Sequence, residues 1–247
     1  MERIVCVIPA RYGSERLPGK VLYEIKGKTV LQHVYERAKK IKYFSKIIIA
    51  TDDERVKSAA EKFGAEAVIT PKFCRTGSDR VAEVVKDMDV EIAVNIQADE
   101  PFLPKEAVEK PLLLLLKDKS LNVATSAVKI RKKEELYDPN IVKVVLDKDN
   151  FALYFSRSLI PFPRIYFSDD KLPYLKNVVF YKHIGVYIFR KDFLMEFSKM
   201  ETSFLEKIEK LEQLRIMENG YKIKVVVIKK DSPSVDTIQD IKRLRNE

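Results

Sequence analysis

The chain has 247 residues, with no tryptophan, two cysteines, two histidines and seven glycines. Cys6 and Cys74 are too few for a disulfide framework and show no metal-ligand spacing, so they read as reduced thiols in a cytoplasmic protein. Seven glycines and 11 prolines exclude a collagen-like or low-complexity chain. No apolar run approaches the roughly 20 residues that a membrane-spanning helix needs. The longest pure run, residues 112–116, lies between Lys110 and Lys117. The opening Met1-Glu2-Arg3-Ile4 leads straight into a strand pattern, with no apolar core of a secretory signal. The missing tryptophan, scarce glutamine and plentiful Lys and Glu lean towards a heat-adapted source.

What is present is 46% hydrophobic and 34% charged, enough for a sizeable core in a folded chain. The net charge of +9 fits nucleic acid, a membrane surface or an anionic small molecule, and does not choose among them. Apolar runs at 5–10, 46–50, 65–69, 91–96, 122–128, 142–146, 177–190 and 223–228 predict strands. Helical stripes are expected at 29–41, 53–63, 79–87, 105–117, 203–219 and 237–245, with Pro111 kinking or dividing the fourth. Ser203 and Glu206 have capping-box spacing, and Gly64 and Gly220 are stop signals. This alternation predicts one α/β domain over residues 1–247, a doubly wound and mostly parallel sheet covered on both faces. Residues 131–176, rich in aromatics and proline, break the rhythm and read as an insertion packed on the sheet or on a partner chain, or as a long ordered surface loop.

Ligands of open α/β sheets bind beyond the carboxyl ends of the strands, so the segments that follow strands carry the candidates. After the first strand, Arg11, Arg16 and Lys20 share a loop with Gly13 and Gly19. Such a loop can cradle a polyanion, and composition alone allows a solvated basic loop equally. Its spacing is neither a Walker motif nor GxGxxG. After the fourth strand come Gln97-Ala98-Asp99-Glu100-Pro101, and after the last comes Asp236. Carboxylates there suit Mg2+, which takes one or two carboxylates plus substrate phosphates; both also suit helix N-caps. Period-2 alternation in 177–190 puts Tyr181, His183, Gly185, Tyr187 and Phe189 on one face, where His183 reads as a ligand contact or as a hydrogen-bonded core histidine. His33 stands alone on a helix and is assigned no role.

Taken in order, the motifs Ile8-Pro9-Ala10-Arg11-Tyr12, Ser14-Glu15-Arg16-Leu17-Pro18-Gly19-Lys20, Ala50-Thr51-Asp52, Gln97-Ala98-Asp99-Glu100-Pro101, Ala152-Leu153-Tyr154-Phe155-Ser156-Arg157, His183-Ile184-Gly185-Val186-Tyr187, Leu211-Glu212-Gln213-Leu214-Arg215 and Val235-Asp236-Thr237 are highly specific. The sequence resembles the 3-deoxy-manno-octulosonate (Kdo) cytidylyltransferases from about residue 4 to 245. It departs from that pattern at Cys74-Arg75-Thr76, and at Ala98, where the family has glycine.

The resemblance implies a nucleotidyltransferase fold and the reaction CTP + Kdo → CMP-Kdo + pyrophosphate, for lipopolysaccharide synthesis. It implies that Arg11, Arg16 and Lys20 grip the triphosphate, that Arg80 and Gln97 lie near the nucleotide, and that Asp99 and Asp236 hold Mg2+. Asp99, Asp236, Lys20 and Arg11 would then carry the catalysis. Arg157, His183, Tyr187, Glu212 and Gln213 would form the sugar pocket, with Arg157, or less directly Arg164, meeting the sugar carboxylate. A homodimer with its contact in 131–176 is implied as well. The alternatives are a cytidylyltransferase for an 8-amino Kdo analogue or sialate and, from another class, a basic nucleic-acid-binding protein. Against the last stands the dispersal of the basic residues among Glu and Asp, without a recognised DNA or RNA module.

Overall fold

The computed structural model describes residues 3–14, 17–164 and 178–246. The chain begins β1 (Ile4–Pro9), a hairpin of β2 (Glu24–Ile25) and β3 (Lys28–Thr29), α1 (Val30–Ala38), β4 (Lys46–Thr51), α2 (Glu54–Lys62), β5 (Glu66–Ile69), α3 (Gly77–Val85), β6 (Ile92–Ile96), α4 (Glu106–Lys117) and β7 (Val123–Lys129). It continues α5 (Lys133–Tyr137), β8 (Lys143–Leu146), β9 (Ala152–Ser156), β10 (Tyr181–Arg190), α6 (Lys191–Lys199), α7 (Phe204–Glu209), α8 (Gln213–Glu218), β11 (Lys224–Ile228) and α9 (Ile238–Asn246). No helix among the described residues is long and apolar enough to cross a membrane.

The main sheet runs β11-β7-β10-β6-β1-β4-β5, with β8 and β9 added beside β10. β1 is buried at every position, as a strand covered on both faces must be. Its residues alternate between two layers. Cys6 and Ile8 pack with Leu31 of α1, Val56 of α2 and Leu112 of α4, while Val5 and Val7 pack with Val81 of α3, Phe197 of α6 and Leu214 of α8. The doubly wound architecture expected from the strand–helix alternation is therefore present. One strand departs from the parallel rule: β10 is antiparallel to both β6 and β7. Two successive reversals restore the direction, and β7 pairs parallel with β11. Strands β6 and β11 thus point the same way, and their carboxyl ends share one edge.

Local chemistry sets most helix starts. Thr29, Asp53 and Thr76 each accept a backbone N–H at the start of α1, α2 and α3, caps worth about 1 kcal/mol apiece. Ser203 and Glu206 complete the expected capping box. Two expectations about helices are refined. Of the kink or division expected at Pro111, the division is absent, and α4 runs unbroken to Lys117. The Ala107 carbonyl, which a residue with an N–H at 111 would bond, accepts the Ser126 hydroxyl at 2.8 Å instead. The single helix expected over 203–219 is two, α7 and α8, because Lys210 turns left-handed at φ 55 and ends α7. The turn buries Leu211 and points Glu212 back towards α3.

Within the expected insertion, α5 is followed by β8 and β9, which form an antiparallel extension of β10; residues 165–176 of it lie outside the described residues. A third small cluster of Leu17, Ile25, Val30, Val235, Ile241 and Leu244 packs α9 against the hairpin and the loop after β1. That packing brings the end of the chain to its beginning.

Candidate functional site

The loop after β1 closes on itself. Gly19 donates its N–H to the Tyr12 carbonyl at 2.7 Å. It takes φ +70 with the Tyr12 ring lying where a Cβ would stand, 2.9 Å from it, so glycine is required twice over. Arg55 covers the same ring at 3.5 Å. The closed loop turns into a short helical turn that starts at Lys20. Lys20 is 13% exposed, and its ammonium donates to Asp99 Oδ2 at 2.6 Å, Asp236 Oδ1 at 3.1 Å and the Val235 carbonyl at 3.1 Å. Burial opposes the charge on Lys20, but the two carboxylates outweigh it and raise its pKa.

Residues 79 and 216 positions apart along the chain from Lys20 therefore meet on one cation. Neither carboxylate is a helix cap. α4 begins well after Asp99 with Lys105 as its cap residue, and α9 is capped by Thr237, whose hydroxyl accepts the Asp240 N–H at 3.2 Å. Asp99 and Asp236 are the pair that could hold a divalent cation. Among the described residues there is no cluster of three or more His, Cys, Asp or Glu for an all-protein cage. Arg11 is exposed on the same loop. Arg16, expected beside it, lies outside the described residues.

Arg80, 4% exposed, bonds the Thr70 hydroxyl and pairs with Asp52 Oδ2 at 3.0 Å. Gln97 joins a hydrogen-bonded chain that the sequence did not reveal. Its amide donates to Asn95 Oδ1 at 3.1 Å, Asn95 donates to the Ser78 hydroxyl at 3.1 Å, and that hydroxyl donates to Glu212 Oε1 at 2.9 Å. Glu212 also accepts the Ser78 N–H at 3.1 Å, at the start of α3. Gln97 and Glu212, assigned by resemblance to nucleotide and sugar, are thus the two ends of one chain. Asn95 carried a visible signal, a polar side chain inside a fully buried strand pattern; Ser78 carried none.

On β10, His183 stacks edge-on with Phe155 at 5.2 Å and lies 5.3 Å from the Tyr187 ring. The Thr125 hydroxyl donates to the Val186 carbonyl at 2.6 Å, so it accepts from His183 Nε2, 2.8 Å away. This assigns the proton to Nε2 and leaves Nδ1 as an acceptor. Burial pushes the His183 pKa down to about 3. Protonation therefore favours the unfolded chain, where histidine titrates near 6.5. The stability that neutral His183 confers is complete above about pH 6.5 and is lost as pH falls towards 3. Urea titrations should give an unfolding free energy that falls by up to about 1.4 kcal/mol per pH unit below that point. In His183→Gln this part of the slope should vanish, and an unchanged slope would place the titrating group elsewhere.

Tyr187 is 4% exposed, and burial followed by the charge of Glu212 raises its pKa well above normal. Glu212 itself is raised by burial, against hydrogen bonds from Thr76 and Ser78. Gln213 is 3% exposed, and its amide nitrogen is buried without a hydrogen-bond partner. The Arg157 side chain is engaged by the chain itself. Its guanidinium donates to the carbonyls of Glu209 at 2.8 Å and Pro139 at 2.8 Å, tying β9 to the end of α7. Arg164 closes the part of the insertion that is described.

Ala98, where the resembling family has glycine, is expected to keep φ < 0, and it is not among the non-glycine residues with positive φ, which are Lys26, Asn150 and Lys210. Ala98→Gly should therefore keep activity and lose roughly 0.4–1 kcal/mol of stability, read by denaturant melts, through added freedom in the unfolded chain.

A sequence profile of the cytidylyltransferase family matches residues 5–224. The chain is 43% identical over 244 residues to the 3-deoxy-manno-octulosonate cytidylyltransferase of Geotalea uraniireducens, covering 98% of this chain and 97% of that one. It is 46% identical over 249 residues to the protein of the same name from Pelobacter propionicus, covering 98% and 96%. A solved structure of CMP:2-keto-3-deoxy-manno-octonic acid synthetase complexed with CTP superposes with a TM-score of 0.88 at 40% identity, covering 99% of this chain and 97% of that one. A cytidylyltransferase from Leptospira borgpetersenii, at 16% identity and a TM-score of 0.65, shares the fold. Motifs, topology and these similarities agree, and the chain belongs to the 3-deoxy-manno-octulosonate cytidylyltransferase family.

Proposed function

We propose that the protein transfers CMP from CTP to the anomeric hydroxyl of Kdo, releasing pyrophosphate, and that the transfer depends on Mg2+ held by Asp99 and Asp236. The observation that carries this reading is the meeting of Lys20, Asp99 and Asp236 at the carboxyl-end edge of the sheet. Two carboxylates that already share one cation are a donor set that suits Mg2+, with substrate phosphates and water completing the shell. When bound, Mg2+ neutralises phosphate charge and polarises the α-phosphate.

The remaining chemistry is positioning and charge. The sugar hydroxyl forms a bond to the α-phosphorus as the bond to pyrophosphate breaks, with the two oxygens in line. CTP carries about four negative charges and Kdo a carboxylate, so the two substrates repel; Arg11, Arg16 and Lys20 offset this at the triphosphate. Arg80 and Gln97 orient the nucleotide. His183 Nδ1, Tyr187 and the amide of Gln213 orient the sugar, and Glu212 orients it too while it holds the start of α3. Arg157, whose guanidinium keeps N–H groups beyond those given to the carbonyls, meets the sugar carboxylate, with Arg164 as the weaker candidate. The homodimer belongs to the same reading. Tyr137, Leu153 and Phe162, all within 131–176, are each more than half exposed, apolar surface that a partner copy would cover.

Pyrophosphate release from CTP with Kdo, with the 8-amino analogue and with sialate, run beside gel shifts on duplex and single-stranded nucleic acid, tests the reading. It expects release with Kdo and no shift. A higher kcat/KM with either analogue would change the substrate, and nucleic-acid binding without pyrophosphate release would overturn the activity.

A further inference from the structure

Glu100 follows Asp99 but has no part in the chemistry described above. It is 6% exposed, and its Oε1 accepts the Gly185 N–H at 3.0 Å. Gly185 lies where β10 slips register against β7, between Ile184 and Tyr187. A Cβ at Gly185 would come 3.1 Å from Glu100 Oε1 and 3.1 Å from Gln97 Cγ, so a larger residue there would push these two side chains back by a few tenths of an ångström. The carboxyl group thus supplies the hydrogen bond that the irregular strand lacks, two residues from both His183 and Tyr187.

The other side of Glu100 faces the loop that carries Asp236. Ser232, 2% exposed, stands within reach of the carboxyl group and its hydroxyl favours the charged carboxylate, yet the buried Glu100 Oε2 and Ser232 Oγ do not meet in a well-formed hydrogen bond. Burial pushes the Glu100 carboxyl up to about 7, against Ser232, the Gly185 amide and Lys182 and with the help of Asp99. A buried polar atom without a well-made hydrogen bond is unfavourable, and here two such atoms adjoin. A small shift of one loop would satisfy both. That loop is tied to the Asp99 segment by its backbone as well, through the Val235 N–H to the Asp99 carbonyl at 2.8 Å.

We propose that Glu100 is a positioning residue that joins the two halves of the site: Oε1 sets the β10 irregularity beside the sugar residues, and Oε2 receives the Ser232 hydroxyl when the Asp236 loop seats against bound CTP and its cation. The inference rests on the assignment of Asp99 and Asp236 as the cation's ligands. Glu100 acts through Gly185 on one side and through Ser232 on the other.

The test measures Mn2+ binding in the presence of CTP by water proton relaxation, together with KM and kcat for both substrates. Ser232→Ala should weaken Mn2+ binding about 10-fold, the scale on which partners of metal ligands act, and leave the KM for Kdo unchanged. Glu100→Ala should weaken Mn2+ binding and also raise the KM for Kdo. Glu100→Gln, which can still accept from Gly185 and can donate to Ser232, should recover both to within about 3-fold. Wild-type Mn2+ affinity in Ser232→Ala would overturn the inference, as would a loss of about 10-fold or more in Glu100→Gln; neither result depends on whether Glu100→Ala folds. A wild-type protein that binds no Mn2+ with CTP would instead overturn the metal assignment, and this inference with it.

Discussion

Asp99→Asn and Asp236→Asn should each cut turnover at least about 100-fold, the scale lost with a key electrostatic group of a transition state, while the protein keeps its fold. Each change removes one negative charge and leaves the shape of the side chain. Lys20 retains the other carboxylate and the Val235 carbonyl, so the packing around it survives. What is lost is the second anionic ligand for a divalent cation. The double variant should be little worse than either single one, because both side chains act through one site. Activity should vanish in excess EDTA and return with Mg2+ or Mn2+, which share an octahedral preference for oxygen ligands. A purely structural role as helix caps makes the opposite forecast, since asparagine caps as well as aspartate. The structure has already given the cap of α9 to Thr237. Near-normal turnover in either single variant, or full activity in EDTA, would remove the metal from the mechanism.

His183→Ala and Gln213→Ala should raise the KM for Kdo and leave that for CTP nearly unchanged. The Gln213 amide nitrogen is buried without a partner, and His183 Nδ1 is an acceptor held in place by the bond from Nε2 to Thr125. Gln213 is buried and His183 half-buried, and each keeps a hydrogen-bonding nitrogen that none of the described residues engages. Losing one such bond to a buried sugar hydroxyl should cost about 1–3 kcal/mol, roughly 5- to 150-fold in the sugar's specificity. Both variants should remain folded at neutral pH, because neither removes a partner from a charged group. Equal effects on the two substrates, or a fall in kcat with KM unmoved for both, would mark these residues as core that supports the whole site.

The division of labour between sequence and structure is visible in particular residues. Buried strands such as Ile4–Pro9, the capping box at Ser203 and the loop of Arg11 and Lys20 were legible because each is local: an apolar run, a spacing of three, or a cluster of charges within ten residues. The ordered motifs were legible too, and the reaction class came with them. The direction of β10 was not, since an alternating strand pattern is the same read either way, and only pairing with β6 and β7 makes it antiparallel. The continuity of α4 through Pro111 depended on the Ser126 hydroxyl, and the break at Lys210 on the burial of Leu211. Nor could spacing show that Gln97 and Glu212 are linked through Asn95 and Ser78, or that Arg157 is engaged by backbone carbonyls. The sequence by itself determined which side chains carry charge and which runs must be buried, because both follow from residue type and period. Only the tertiary structure decided which of those charges meet. The approach of Asp99 and Asp236 to one ammonium depends on strand order, two reversals of direction and the packing of the last helix on the first loop, all of them contacts between residues far apart in the chain.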